Sequence, residues 1–456
     1  MSDAEPLLQH AIIRSRRRLL PFLLFMYIVS FLDRANIGFA KQALLTSAHV
    51  SDAAFALGAG LFFLTYAFFE TPSNLVLHRV GARIWLARIM VVWGFISAAT
   101  LFTTGPRSFC FLRLLLGAAE GGFFPGVILY LTYWFPNRIR GQMMGIFYLG
   151  VPLAFVLGAP LSGFLLDLHI APFHGFLHLQ GWQWMFLVEG LLAVIGGVMS
   201  FLYLDDKPDR ARWLPEPEKQ ALLAVLTREE NERRAHGPSS LLATFGNPRV
   251  LYFALIYFLI QVGVYGVVFY LPSNVSIILG TSIGLRVGIV SAVPWVFSVA
   301  ATFGLPLLGD RYRSHRLVAS LTLLASSLAI FLLPIAESLI RIHDLSTAPA
   351  IMALLALCVA ASGLIAVQPL FWTFPTGFLS GSSAAAGIAL ISALGNLGGF
   401  VAPNIKVWAE AHFHTHFAGP FSLAVFTLPG ALLIAMLNRR GPHPRAAAPD
   451  PELSAG

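Results

Sequence analysis

The sequence predicts an all-α polytopic membrane protein, with twelve transmembrane helices in two groups of six. Three observations predict it. Only 11% of the 456 residues are charged, against roughly 25% in soluble domains. The mean hydropathy is +0.74. Apolar runs of about 20 residues recur along the whole chain, the length a helix needs to cross a ~30 Å hydrocarbon core.

In chain order, the first run (18–39) follows the basic cluster Arg14–Arg18. It is long enough to span and no small-residue cleavage site follows it, so it reads as a helix and not as a removed leader. Runs 54–77 and 84–104 flank the loop "HRVGARIW", and runs 109–134 and 142–166 flank "PNRIRGQ". The sixth run, 184–204, closes a first half, 1–204. Residues 205–248 form the one long polar stretch, read as a solvated connector with a short amphipathic helix near Pro217–Arg233. Runs 250–272, 283–308, 316–336, 349–371, 383–407 and 419–437 make a second half, 249–438, and 439–456 is a polar tail. The loop "GDRYRSHR" after the eighth run corresponds to "HRVGARIW" after the second, which suggests two related halves.

The net charge of +8 does not point to nucleic acid, because its distribution has another cause. Of the 30 Lys and Arg, 23 lie in alternate loops and the two ends, five lie on the other side, and two, Arg34 and Arg113, are intramembrane. That alternation is the positive-inside pattern and predicts cytoplasmic termini. Cys110 and Cys358 both fall in apolar runs, so buried thiols are expected and no disulfide or metal framework.

"GLPLLGDRYRSHR" resembles the loop signature of the major facilitator superfamily. "FLDRANIGFA", "FETPSNLVLHRVGAR", "RLLLGAAEGGFFPGVILYLTYWFP", "GWQWMFLVEG" and "GNLGGFVAP" together resemble its anion:cation symporter family. The resemblance implies the major facilitator fold, two six-helix halves around a central cavity. It also implies uptake of an organic carboxylate such as a sugar acid, tartrate or phthalate, coupled to protons. Size and loop economy favour a bacterial inner membrane, and a monomer without cofactor is expected. Repeats of this kind place the substrate near the midplane, between the halves. Phe31 stands where the family often has Tyr, Gln183 where Arg is common, and "PNRIRGQ" departs from the usual loop. These departures bear on the substrate and not on the fold.

Four charges inside the first half carry the functional reading: Asp33, Arg34, Arg113 and Glu120. Each costs about 2.5–3.5 kcal/mol at the bilayer centre, so the set must face a polar interior and pair. Arg113 and Glu120 are seven residues apart on one face of the fourth run, with Gly117 between them leaving room for a helix or a ligand. The expected roles are proton carriage at Asp33 and Glu120, substrate contact at Arg34, and Arg113 as the resident partner of Glu120. A proton on either acid frees an arginine for a bidentate, charge-assisted contact with a substrate carboxylate. The bland alternative is an ion-pair network that only locks helix packing.

Tyr66 and Asn396 match family positions that resemble ligand contacts, and Tyr148, Gln261, Tyr265, Trp372 and Thr373 are further candidates for the cavity wall. Each could equally serve packing. Asp310, Arg311, Glu70 and Arg83 are expected to work as gating groups, with Glu70 capping its helix or pairing with a loop arginine; Glu189 is placed off-centre. The histidines of "HIAPFHGFLH" and "HFHTH" read as exposed loop residues and no metal is assigned to them. No nucleotide loop, hydrolytic triad or redox motif is present, so an enzyme is not expected. Two rivals to anion import stay open: a proton-coupled exporter of amphipathic compounds and a non-transporting membrane sensor.

Overall fold

The computed structural model describes residues 4–168, 179–235, 246–342, 347–378 and 382–437. Among them are twelve helices long and apolar enough to cross a membrane. Spans 1 to 6 are Glu5–Ser47, Asp52–Val80, Ala82–Phe102, Pro106–Trp134, Asn137–Leu166 and Gly181–Tyr203. Spans 7 to 12 are Pro248–Leu279, Leu285–Arg311, His315–Ile340, Thr347–Thr376, Gly387–Phe413 and Ala418–Met436.

The first helix runs Ala4–Ser47, well beyond the apolar run. Hydropathy ends where charge begins, but backbone hydrogen bonding does not, and the basic segment simply continues the helix out of the apolar region. Span 4 is broken at Gly121–Gly122, between a helix Pro106–Glu120 and a helix Phe123–Trp134. Gly122 adopts φ +94°, and a Cβ there would lie 2.3 Å from Ser73 Oγ, so both backbone and space demand glycine. Glu120 therefore ends a helix beside a break.

The linker is not a free connector. Its helix, Glu216–Ala235, close to the expected bounds, docks on the first half. Leu214 and Leu222 are buried, Arg14 contacts Glu218 and Arg140 pairs with Glu229 at 3.2 Å. Trp213 stacks on Trp134 with centroids 5.5 Å apart. The polar composition hid these few apolar anchors. Of the two free thiols, Cys358 is buried but Cys110 only half-buried.

At the end of the bundle opposite the linker the two halves are packed tightly. A Cβ on Gly38 of span 1 would lie 2.8 Å from the Phe269 carbonyl oxygen of span 7. Asn404 of span 11 donates to the Ala56 carbonyl of span 2 at 3.2 Å. Asp167 accepts from the Leu285 N–H at the start of span 8 at 2.7 Å. Lys41 and Lys406 flank the Tyr270 ring at 5.0 and 4.2 Å.

Candidate functional site

Midway along the bundle a cavity opens between the halves. Spans 1, 2, 4 and 5 contribute Tyr27, Phe31, Arg34, Tyr66, Phe124, Tyr148 and Val151; spans 7, 10 and 11 contribute Tyr257, Gln261, Val264, Tyr265, Ile365, Gln368, Ser392 and Asn396. The volume open to the centre of a water is about 30 Å³, against roughly 10–15 Å³ for one water. An organic acid enters only if the aromatic walls part.

Arg34 is the cation of this wall. Its Nε and Nη2 donate to Glu120 Oε1 at 2.9 and 2.6 Å, and its Nη1 donates to the Tyr265 hydroxyl across the cavity at 3.2 Å. Ser30 donates to the same Glu120 oxygen at 2.8 Å. The guanidinium also lies 4.9 Å from the ring centroids of both Phe31 and Tyr66. Arg34 is 6% exposed and Glu120 fully buried, so the pair is dry, and breaking it from one side leaves a costly buried charge. On the other wall, Gln261 donates to Asn396 at 3.2 Å, and Tyr148 donates to Gln368 at 2.7 Å, joining span 5 to span 10.

The sequence-predicted residues fall into three sets. Arg34, Tyr66, Tyr148, Gln261, Tyr265 and Asn396 line the cavity. Asp33, Arg113 and Trp372 do not. Asp33, one residue from Arg34, turns into the first half, where Ser97 and Asn36 donate to its Oδ1. Trp372 stands behind Tyr257, ring centroids 5.0 Å apart. Arg113 sits over the Phe62 ring at 4.8 Å, with Nε and Nη2 unpartnered. It is not the partner of Glu120, contrary to the expectation. Seven residues of helix is about 10.5 Å of rise, so a shared face does not bring the two side chains together, and Arg34 of span 1 reaches Glu120 first.

The four gating candidates do not meet. Arg83 donates to the Phe201 carbonyl at 2.6 Å and its backbone N–H to Asp206 at 2.9 Å, stapling span 3 to the end of span 6. Asp310, in the last turn of span 8, pairs with His315, the first residue of span 9, at 3.0 Å, and Arg311 is exposed. Glu70 is 3% exposed and lies beside the Ser392 hydroxyl of span 11, not beside a loop arginine. Glu189 is 1% exposed and accepts from Ser162 at 2.7 Å. Both acids belong to the buried polar interior, which sequence reasoning underrated; an acid inside an apolar run was the signal. Gln368, an amide in the apolar run "GLIAVQPLFW", was missed in the same way. His169, His174 and His178 lie outside the described residues, and among the described ones no group of three His, Cys, Asp or Glu converges.

The model of the Major Facilitator Superfamily matches residues 23–403. The chain belongs to the major facilitator superfamily. It is 45% identical over 95% of its length to the inner membrane transport protein RhmT of Escherichia coli, covering 96% of that protein. It is 40% identical to a putative tartrate transporter of Agrobacterium vitis, covering 93% of this chain and 94% of the relative. A quinolone resistance transporter of Acinetobacter baumannii is 38% identical, over 91% and 92% of the two chains. Among solved structures, a D-xylose-proton symporter superposes with a TM-score of 0.70 at 18% identity, covering 91% of this chain and 96% of that one, which supports the fold alone. This major facilitator protein is thus a multi-pass inner-membrane transporter and not an enzyme.

Proposed function

We propose that this transporter is an anion:cation symporter that imports an organic carboxylate, of the sugar-acid or tartrate class, together with protons. The observation that carries the reading is the Arg34–Glu120 pair at the cavity wall. Among the described residues Arg34 is the one cation lining the cavity, and an acid already holds two of its donors. A substrate carboxylate and Glu120 compete for the same planar fork, which binds a carboxylate through two charge-assisted hydrogen bonds. A proton on Glu120 removes the competitor's charge and releases the fork. Substrate on the fork in turn favours a protonated Glu120. Each ligand strengthens the other's binding by the same factor, as linkage requires.

The substrate's hydroxyls have amide partners at Gln261, Gln368 and Asn396 on the facing wall and a phenol partner at Tyr148 of span 5. The packed end opposite the linker supports alternating access, in which one mouth is shut while the cavity exchanges with the other side. Asp33 carries a proton outside the cavity, and Arg113, whose charge interacts with those of both Asp33 and Glu120, relays its charge state. The positive-inside distribution of Lys and Arg supports cytoplasmic termini.

One observation favours a second reading: five tyrosines and two phenylalanines among the lining residues suit an amphipathic cargo, and a relative is named for quinolone resistance. Proteoliposomes with an inward proton gradient separate the two. Tartrate, galactonate, glucarate, phthalate and pantothenate are offered in turn, with Arg34→Ala and Glu120→Gln alongside the parent. Gradient-dependent accumulation of one acid, lost in both variants, supports symport. Expulsion of a fluorescent quinolone with no acid moved sinks it in favour of export.

A further inference from the structure

Behind the cavity, between spans 1, 3, 5 and 6, lies a second buried polar cluster. Asp33 is 2% exposed and Glu189 1%. Ser97 and Asn36, the latter at 3.2 Å, donate to Asp33 Oδ1, and Ser162 donates to Glu189 Oε1 at 2.7 Å. The Asn36 amide, which donates to Asp33, lies within hydrogen-bonding reach of Glu189 as well. Asp33 Oδ2, Asn36 Oδ1 and Glu189 Oε2 are buried without a partner.

The surrounding charges do not neutralise this cluster. Span 1 brings Asp33 itself and Arg34, which is turned to the cavity and held by Glu120. Span 4 brings Arg113, whose field reaches Asp33 and Glu120 but which makes no ion pair among the described residues. Spans 3 and 5 present hydroxyls, Ser97 and Ser162. Among the described residues of the first half the interior holds four acids, Asp33, Glu70, Glu120 and Glu189, and two bases, Arg34 and Arg113. Fully ionised, that interior carries two uncompensated negative charges. Desolvation excludes such a state, and neighbouring carboxyls resolve it by keeping a proton.

We propose that Glu189 is a proton-holding residue: a neutral acid that, bridged by Asn36, forms with Asp33 a carboxyl pair that binds a proton apart from the cavity. A proton on Glu189 Oε2 removes the charge from that unpartnered buried oxygen, while Ser162 and the Asn36 amide hold the carboxyl in place. The Asn36 N–H then donates to Asp33, so the amide orders the pair and lets a proton taken up by one carboxyl be felt by the other. This rests on the reading of Asp33 as a proton carrier, but its test needs no substrate.

The test is infrared difference spectroscopy of the reconstituted full-length protein across pH, reading the carbonyl stretch of neutral carboxylic acids. The parent is expected to show a Glu189 band at neutral pH, and Glu189→Gln to lose the intensity of one carboxyl. Asp33→Asn is expected to change the pH at which that band disappears. Ser162→Ala is expected to move its frequency, because that hydroxyl donates to the carboxyl; this second variant keeps the test alive if Glu189→Gln does not fold. A spectrum unchanged in Glu189→Gln, or a band indifferent to both Asp33→Asn and Ser162→Ala, overturns the proposal. Failure of every carboxylate to be transported would overturn the substrate reading and leave this result standing.

Discussion

Arg34 divides its guanidinium between two halves of the molecule: two nitrogens on Glu120 of span 4 and one on Tyr265 of span 7. A lysine keeps the charge but offers a single point donor on a flexible stem, without the planar fork. Arg34→Lys is therefore expected to lose at least one charge-assisted hydrogen bond, about 1.5 kcal/mol or more. Gradient-driven accumulation of the carried acid in proteoliposomes should fall about tenfold or more. Uptake equal to the parent would show that charge alone suffices at this position. Adjacent Asp33 illustrates how much one residue of helix matters. The ~100° turn between neighbours sends Arg34 into the cavity and Asp33 into the first half's interior, where hydroxyl and amide donors replace the arginine that the sequence placed beside it.

At the scale of elements, spans 2 and 4 meet through Gly117, which the sequence left open as room for a helix or for a ligand. A Cβ there would lie 2.1 Å from the Phe62 carbonyl oxygen and 2.4 Å from Thr65 Oγ1, so the space belongs to the neighbouring helix. Thr65 donates to the Leu114 carbonyl at 2.9 Å across the same contact. Gly117→Val would push the two helices apart and with them the Arg34–Glu120 geometry. Overpacking of this kind costs about 1–3 kcal/mol. The expected result is a lower Tm in detergent together with reduced uptake, checked by thermal unfolding of the purified variant. A parent-like Tm would mean that the backbone approach is looser than the close contact implies.

For the whole molecule, the contacts between halves at the end opposite the linker define a closed mouth, and transport requires them to separate. Gly60 of span 2 and Asn404 of span 11 meet there: a Cβ at Gly60 would lie 2.7 Å from Asn404 Nδ2. With Cys110 and Cys358 replaced by serine, a Gly60→Cys/Asn404→Cys pair is expected to arrest uptake on oxidation and regain it with reductant. A disulfide there holds the two backbones within about 7 Å. Unimpeded transport by the oxidised, cross-linked protein would show that this end does not open. The docked linker helix belongs to the same scale, because it joins the halves in sequence yet clings to the first through Glu218 and Glu229.

What the chain decides by itself is whatever depends on composition and local pattern. Twelve apolar runs, charge kept to alternate loops, and acids and arginines inside the first and fourth runs mark a membrane bundle with a polar interior, since hydrocarbon tolerates nothing else. Arg34, Tyr66, Tyr148, Gln261, Tyr265 and Asn396 were legible as cavity candidates because a polar or aromatic handle on an apolar helix needs a partner inside. Pairing was not legible. Glu120 takes Arg34 over Arg113, Glu189 takes Ser162, and Glu70 lies beside Ser392, because the partner of a buried charge is chosen by the distances between different helices. Those distances depend on how whole surfaces pack, and only the tertiary structure sets them.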